Sequence, residues 1–211
     1  MTEPKWFTLL PHTVPRRITD PIVAVIARTG ATPNHLTALG FLGNLGAGVL
    51  AARGEFLAAG LAMLPASALD LLDGALARAT GRVSDFGAVL DSSLDRLSEA
   101  AVLGGLTFHF AQEKKREETV LCFAAVTGSL LVSYVRAQAQ ARGLDMRDGL
   151  FTRAERVLLL GVGLIMGRVR VALWILTVMS YVTALQRLYI AWDRLPHSET
   201  APTEAGGTHK E

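Results

Sequence analysis

The sequence predicts an all-α integral membrane protein, in which six transmembrane helices follow an N-terminal interfacial amphipathic helix. Only 19% of the 211 residues are charged, whereas soluble domains average roughly 25%. The mean hydropathy is positive, at +0.33, and apolar stretches recur along most of the chain. Most of these stretches approach the roughly 20 residues that an α-helix needs to cross a bilayer. Together these observations favour a bundle of membrane helices.

The chain is short enough to form one domain. We assign residues 1–195 to a single membrane domain and predict that residues 196–211 form a disordered cytoplasmic tail. The tail is rich in Pro, Gly, Ser and Thr, and it has almost no apolar surface to bury. The N-terminus shows no uninterrupted apolar core ending in a cleavage site, so we expect no signal peptide.

The first element is a short helix within residues 15–29. Its apolar residues are flanked by arginines, which suits a helix lying in the membrane interface. An ordinary first helix of a bundle is the alternative. Asp20 followed by Pro21 is typical of a helix start, and Thr32 followed by Pro33 repeats that signal. We expect Thr32 to cap the first span.

Six spans are predicted at about 34–52, 56–78, 86–110, 120–141, 156–166 and 169–190. The fifth is short unless it begins near Arg153. With the N-terminus in the cytoplasm, two thirds of the 21 lysines and arginines fall on the cytoplasmic side. This bias predicts a multi-pass plasma-membrane protein with both termini in the cytoplasm, although the basic cluster at 114–116 opposes it.

Two further features exclude classes of partner and site. The net charge of +2 gives no broad electrostatic field for a nucleic acid, so we expect none as a partner. The single cysteine, Cys122, cannot form an intramolecular disulfide and has no partner for a metal motif. We interpret Cys122 as a packing residue.

The most informative segment holds four acidic residues. Asp70 and Asp73 are three residues apart and share one helix face. Asp91 and Asp95 are four apart and share a face of the next helix. A short turn separates the two pairs, so antiparallel helices would bring four carboxylates together. Such a group repels itself unless cations join it. Mg²⁺ and Mn²⁺ prefer oxygen ligands, and two ions would stabilise an in-line displacement at phosphorus.

Small residues accompany the acids on the same faces. Gly74 and Ala77 continue the face of Asp70 and Asp73, and Gly87 precedes Asp91 by four residues. Short side chains let a bulky ligand approach the backbone. Tight packing between membrane helices is the alternative for each glycine taken singly. Beside four acids, we favour a nucleotide-binding interpretation.

The segment 70–95 resembles the signature of the CDP-alcohol phosphotransferase family, D-x2-D-G-x2-A-R-x8-G-x3-D-x3-D. Enzymes of this family join an alcohol to the phosphate of a CDP-linked lipid and release CMP. A chance match at eight fixed positions is on the order of one in ten billion per start. Every fixed position is filled in this sequence, by Asp70, Asp73, Gly74, Ala77, Arg78, Gly87, Asp91 and Asp95.

The resemblance implies a role for each of these positions. Two Mg²⁺ or Mn²⁺ ions would be bound by Asp70, Asp73, Asp91 and Asp95. Asp95 would also act as the catalytic base on the acceptor hydroxyl. The resemblance further implies a CDP-diacylglycerol-type donor with ester or ether chains, a site facing the cytoplasm and a homodimer. The CDP-binding residues would be Asp70, Gly74, Ala77, Arg78 and Gly87, joined by Asn34 and Thr37 at the entry to the first span.

The second half of the chain must select the phosphorylated alcohol. Arg136, Arg153 and Arg156 gather at predicted cytoplasmic ends of spans, and guanidinium groups suit phosphate. The positive-inside bias is the alternative explanation. The surrounding sequence resembles the branch that makes phosphatidylinositol phosphate from inositol 1-phosphate. That branch usually has a second basic residue where Gln138 stands here, so we also consider Gln138 part of the acceptor site. Glycerol 3-phosphate therefore stays open as the acceptor.

Two other classes are alternatives to this transferase. Membrane prenyltransferases also use paired acidic motifs for metal and diphosphate, but they have more spans and a different motif spacing. A channel or transporter could line its pathway with acids, but it would have no need of Gly74, Ala77, Arg78 and Gly87 at these intervals.

Overall fold

A computed structural model describes residues 16–146 and 149–195, apart from the side chains of 16–19 and Leu71. Within these residues the α-helix is the only regular secondary structure, which confirms the predicted all-α class. The predicted tail, 196–211, lies outside them. Seven helices follow one another as α1 (Arg16–Arg28), α2 (Pro33–Ala52), α3 (Phe56–Thr80), α4 (Asp85–Gln112), α5 (Arg116–Gln140), α6 (Arg153–Ile165) and α7 (Val169–Arg194).

Local signals in the sequence account for several helix ends. Thr32 caps α2 as predicted, because its Oγ1 accepts a hydrogen bond from His35 N at 3.3 Å. Helix α3 ends at Gly81, whose φ of 64° is left-handed and therefore favours glycine. Ser84 then caps α4 by accepting from Gly87 N at 3.0 Å. The turn 81–84 thus reverses the chain between the two acidic pairs.

The predicted start of α1 at Asp20-Pro21 is wrong, because the helix begins at Arg16 and Pro21 lies inside it. Proline lacks an amide hydrogen, so one backbone hydrogen bond is missing there, but the preceding turn stays helical. Val23 is buried in a small cluster with Leu36 and Leu76, while Val25 is 63% exposed. Helix α1 therefore packs one face on the bundle. Its place in the membrane interface stays a prediction.

The bundle is built around α2, which contacts both α3 and α4. Helix α5 contacts α4 and α7, and the short α6 contacts α3 and α7. Large apolar side chains also cover the outer faces, as with Leu42, Phe123 and Leu185. Such faces suit a hydrocarbon solvent. The interior is apolar and fully buried at Met63, Val102, Leu103, Leu106, Leu160, Leu164, Leu173 and Leu176.

Four described helices are long and apolar enough to cross a membrane: Pro33–Ala52, Phe56–Thr80, Arg116–Gln140 and Val169–Arg194. Helix α4 has 28 residues but carries several acids. Helix α6 has 13 residues, about 20 Å at 1.5 Å per residue, which is shorter than a hydrocarbon core of about 30 Å. The protein is therefore a helical protein with four candidate spans, and the count of six stays a prediction.

Helices α2 and α4 touch through glycine backbone. A methyl group on Gly105 would overlap the carbonyl oxygen of Gly48 and lie 2.8 Å from its carbonyl carbon. Its neighbour Gly104 has open space within 4 Å.

We expect Gly105→Ala to lower the free energy of unfolding by about 1–3 kcal/mol, the usual cost of overpacking. Gly104→Ala is the matched control, and we expect it to stabilise the helix by up to about 1 kcal/mol. Thermal unfolding in detergent measures both, and equal melting temperatures would contradict the close contact.

Candidate active site

The turn 81–84 places the two acidic pairs of α3 and α4 in one cluster. Asp91 interacts electrostatically with Asp73 and Asp70. Asp95 interacts with all three of the other carboxylates. Carboxylates that interact in this way repel one another when they are charged. A cation would offset this repulsion.

Arg153, the first residue of α6, supplies a cation from within the chain. Its Nη2 lies 2.8 Å from Asp70 Oδ2 and 2.8 Å from Asp95 Oδ1. The Asp70 side chain is only 3% exposed and that of Asp95 is 18% exposed. Arg153 thus joins α6 to α3 and α4 through the first and last acids of the signature motif. The sequence predicted Arg153 as a phosphate ligand but did not predict this bridge.

Helix α2 contributes a hydrogen bond to one acid of the cluster and space for the side chain of another. Thr37 Oγ1 donates to Asp73 Oδ2 at 2.6 Å, and both residues are buried. A methyl group at Gly40 would overlap Asp70 Oδ1 and lie 3.0 Å from Ala66 O. Gly40 therefore leaves the space that the Asp70 carboxylate fills. Sequence reasoning did not single out Gly40, although it lies one turn after Thr37 on the same helix face.

Four of the five remaining predicted CDP-binding residues form two neighbouring pairs. A methyl group on Gly87 would lie 3.5 Å from Asn34 Oδ1, so the start of α4 approaches the start of α2. A methyl group on Gly74 would lie 3.4 Å from Arg78 Nη1. Asn34 and Arg78 are exposed, whereas Gly74, Ala77 and Gly87 are half-buried. These residues flank the acids on α2, α3 and α4.

The donor set fits a hard divalent cation. All four acids offer carboxylate oxygens, the ligands that Mg²⁺ and Mn²⁺ prefer. Asp95 Oδ1 is buried and has no hydrogen bond in the described structure. Within residues 16–146 and 149–195, no three acid, histidine or cysteine side chains already converge as a ligand set. Arg153 stands between Asp70 and Asp95, so the cation and Arg153 would share these carboxylates.

The other predicted acceptor residues lie in different surroundings. Arg156 is 3% exposed, and its Nε and Nη2 donate to Glu99 Oε1 and Oε2 at 2.9 and 3.2 Å. Arg136 is exposed on α5. Gln138 Oε1 accepts a hydrogen bond from Arg142 Nη1 at 2.6 Å. The guanidinium of Arg142 therefore lies beside Gln138, the position at which the phosphatidylinositol phosphate branch usually has its second basic residue.

Glu99 is a residue that sequence reasoning missed. It follows Asp95 by four residues, so it continues the acidic face of α4. It is 7% exposed and also accepts from Ser129 Oγ at 2.7 Å. A carboxylate inside an apolar stretch is rare and marks a functional position. That signal was available in the sequence.

Comparison with known sequences gives independent evidence on the family of this chain. The family model for CDP-alcohol phosphatidyltransferase matches residues 30–195. An archaetidylinositol phosphate synthase of Pyrococcus horikoshii is 36% identical over 171 residues, covering 81% of this chain and 88% of the relative. A phosphatidylinositol phosphate synthase of Mycobacteroides abscessus is 33% identical over 207 residues, covering 90% of this chain and 93% of the relative.

Solved structures share the fold as well. A crystal structure of Mycobacterium tuberculosis phosphatidylinositol phosphate synthase with CDP-DAG bound matches with a TM-score of 0.76 and 31% identity, over 92% of this chain and all of that chain. Another, in complex with manganese and citrate, matches with a TM-score of 0.76 and 30% identity, over 90% of this chain and 93% of that chain. The matched family model and the complete signature lead to one conclusion: the chain belongs to the CDP-alcohol phosphatidyltransferase family and is a phosphotransferase.

Proposed function

We propose that the protein transfers the phosphatidyl group of CDP-diacylglycerol, or of an ether analogue, to inositol 1-phosphate. The acceptor hydroxyl forms a bond to the lipid-side phosphorus, the bond from that phosphorus to the CMP oxygen breaks, and CMP leaves. The observation that carries this proposal is the bridge from Arg153 to Asp70 and Asp95. It places a phosphate-seeking guanidinium beside carboxylates suited to metal ions.

In this proposal the four acids bind the metal ions. Asp70, Asp73, Asp91 and Asp95 would hold two divalent cations, Mg²⁺ or Mn²⁺. When bound, such ions polarise phosphoryl oxygens and neutralise charge on the attacking and leaving groups. The hydrogen bond from Thr37 holds Asp73 in place. The match to a structure containing manganese supports a metal-dependent site.

Asp95 is the proposed base. Its Oδ1 is buried and accepts no hydrogen bond from any described residue. Beside its ion pair with Arg153, this carboxylate oxygen keeps a further lone pair for the proton of the acceptor hydroxyl. A base at this position needs only modest strength if the hydroxyl is held in line with the phosphorus. Arg153, 2.8 Å from the same oxygen, would hold the acceptor's phosphate and so direct its hydroxyl towards Asp95.

The nucleotide would bind where side chains are small. Gly74, Ala77 and Gly87 leave the backbone accessible, and the exposed Arg78 and Asn34 lie beside these glycines. Arg78 would pair with the nucleotide's phosphates, since guanidinium groups donate to them in parallel. The structure of a relative with CDP-DAG bound supports a CDP-lipid as the donor.

The acceptor is proposed from chemistry and from likeness. Arg136 and Arg153 offer charge to a phosphate, and Arg142, just beyond the end of α5, donates to Gln138. Both relatives are named as synthases of an inositol phosphate lipid, and this supports inositol 1-phosphate over glycerol 3-phosphate. Those names divide between phosphatidyl and archaetidyl lipids, so both ester and ether donors belong in the experiment.

We also propose the arrangement in the membrane. Helices α4 and α6 would complete six spans with the four apolar helices, and α1 would lie in the interface. Both termini and the acid cluster would face the cytoplasm across the plasma membrane, in line with the arginine distribution. The family resemblance further favours a homodimer.

The decisive experiment measures CMP release by the purified protein with CDP-diacylglycerol and Mn²⁺ or Mg²⁺. Inositol 1-phosphate, glycerol 3-phosphate and free inositol are offered separately. We expect inositol 1-phosphate to exceed free inositol at least about a hundredfold in kcat/KM, because the phosphate supplies charge-assisted hydrogen bonds. An archaeal-type ether donor is tested in parallel.

The possible outcomes test the reaction, the acceptor and the metal site separately. Release with glycerol 3-phosphate alone would keep the reaction and replace the acceptor, and Gln138 would be the first position to change. Release with free inositol at the same rate would refute a phosphate-binding acceptor site. Equal release by Asp91→Asn and the wild type would refute the metal-binding assignment.

A further inference from the structure

A second ion pair lies one helical turn from the acid cluster, between Glu99 of α4 and Arg156 of α6. The guanidinium donates to both carboxylate oxygens, at 2.9 and 3.2 Å. Ser129 of α5 donates to the same carboxylate at 2.7 Å. All three residues are buried, with exposed fractions of 7% or less. One carboxylate thus ties together three helices inside the bundle.

A gain in folding stability does not explain why such a buried ion pair is present. The cost of removing two charges from water often equals or exceeds their attraction, and apolar residues of similar volume commonly replace buried pairs without loss. What a bidentate pair does supply is orientation, because two parallel hydrogen bonds fix the guanidinium plane relative to the carboxylate. The pair therefore constrains how α6 lies against α4.

The two ion pairs form a ladder between these helices. Asp95 and Glu99 are one turn apart on α4, and Arg153 and Arg156 are one turn apart on α6. Arg153 pairs with Asp95, and Arg156 pairs with Glu99. Both Arg153 and Arg156 belong to the first turns of α6, a helix of only 13 residues. A sliding or rotation of α6 that breaks one pair would displace the other.

We propose that Glu99 is a positioning residue, which holds the start of α6 through Arg156 so that Arg153 stays aligned between Asp70 and Asp95. This inference rests on the proposed function, in which Arg153 binds the acceptor's phosphate. Glu99 does not touch the reacting atoms. Its loss affects the acceptor site through the register of α6, and the nucleotide residues on α2, α3 and the start of α4 are left in place.

Steady-state kinetics of Glu99→Gln tests this assignment. We expect the KM for the acceptor to rise about tenfold while the KM for CDP-diacylglycerol changes by less than about twofold. Glu113→Gln, an exposed position at the other end of the same helix, is the matched control and should leave both constants unchanged. An unchanged acceptor KM in Glu99→Gln would refute the proposal. A lower KM would also refute it, because an Arg156 freed from Glu99 would then be binding the phosphate itself.

A double variant separates positioning from a purely structural role. Glu99→Gln combined with Arg156→Gln removes the unpaired buried guanidinium, so we expect the melting temperature to return towards the wild-type value. The acceptor KM should stay raised, because the bidentate alignment is not restored. Recovery of the acceptor KM together with the melting temperature would show that Glu99 only supports the fold.

A distance measurement tests the same inference without turnover. Spin labels at Leu97 of α4 and Leu158 of α6, both exposed, are introduced with Cys122→Ser to remove the native thiol. We expect the pulsed electron paramagnetic resonance distance distribution to shift or broaden in Glu99→Gln and to stay unchanged in Glu113→Gln. An unchanged distribution in Glu99→Gln would refute the positioning role whichever acceptor the protein uses. Absence of CMP release by the wild type would refute only the proposed acceptor.

Discussion

Replacement of Asp95 by asparagine is expected to lower kcat by about 100- to 10,000-fold, the usual contribution of a positioned base. An amide accepts no proton at neutral pH and cannot pair with Arg153 as a carboxylate does. The side-chain volume is nearly unchanged, so the fold should survive. CMP release under saturating donor and acceptor measures the effect, and the melting temperature reports whether the fold is kept.

The control for this substitution lies on the same helix. Asp85→Asn makes the same chemical change in the first turn of α4, at an exposed position outside the acid cluster. We expect its kcat to stay within about threefold of the wild type, since surface changes are usually small in free energy. A similar loss in Asp85→Asn and Asp95→Asn would show that net charge, rather than the base, limits the rate.

Removal of divalent cations should have the other large effect. Arg153, which pairs with Asp70 and Asp95, cannot alone offset the negative charge of four carboxylates and a diphosphate. Bound metal ions supply several kcal/mol of charge stabilisation in the transition state, and about 1.4 kcal/mol is tenfold in rate. We therefore expect chelation to reduce CMP release at least about a thousandfold, with recovery when Mn²⁺ or Mg²⁺ is added back.

Two controls make the metal experiment specific. Sodium chloride at matched ionic strength should not restore activity, because screening alone does not bridge carboxylates and phosphates. Asp91→Asn should raise the Mn²⁺ concentration required for half-maximal binding in calorimetry, since it removes one oxygen ligand of the predicted set. Undiminished activity after exhaustive chelation would contradict a metal-dependent mechanism.

Helix positions were predictable because their signals are local. Thr32 caps α2 and Gly81 ends α3 through contacts within a few residues, and the periodicity between these signals follows from burial in a bundle. The start of α1 was missed because Asp20-Pro21 looks like a helix start in isolation. The helix continues through Pro21, where packing of Val23 against Leu36 and Leu76 stabilises it.

The acid cluster was predictable for a related reason. Its members lie on two consecutive helices joined by a short turn, so spacing alone determines which faces meet. The pairs made by Arg153 and Arg156 cross 57 to 83 positions of sequence. Which carboxylate each arginine meets depends on where α6, which packs on α3 and α7, lies relative to α4. No local pattern contains that information, and the sequence therefore predicted the arginines without their partners.

The contact between Gly48 and Gly105 limits how a two-chain lipid can reach the acids. With backbone against backbone and no side chains between them, α2 and α4 leave no gap at this level for an acyl chain. Side chains that hop between rotamers can open a lateral gate, but two touching peptide backbones cannot do so without separating the helices. We therefore expect the hydrocarbon tails of the proposed donor to enter along another side of the bundle rather than between α2 and α4 at this level.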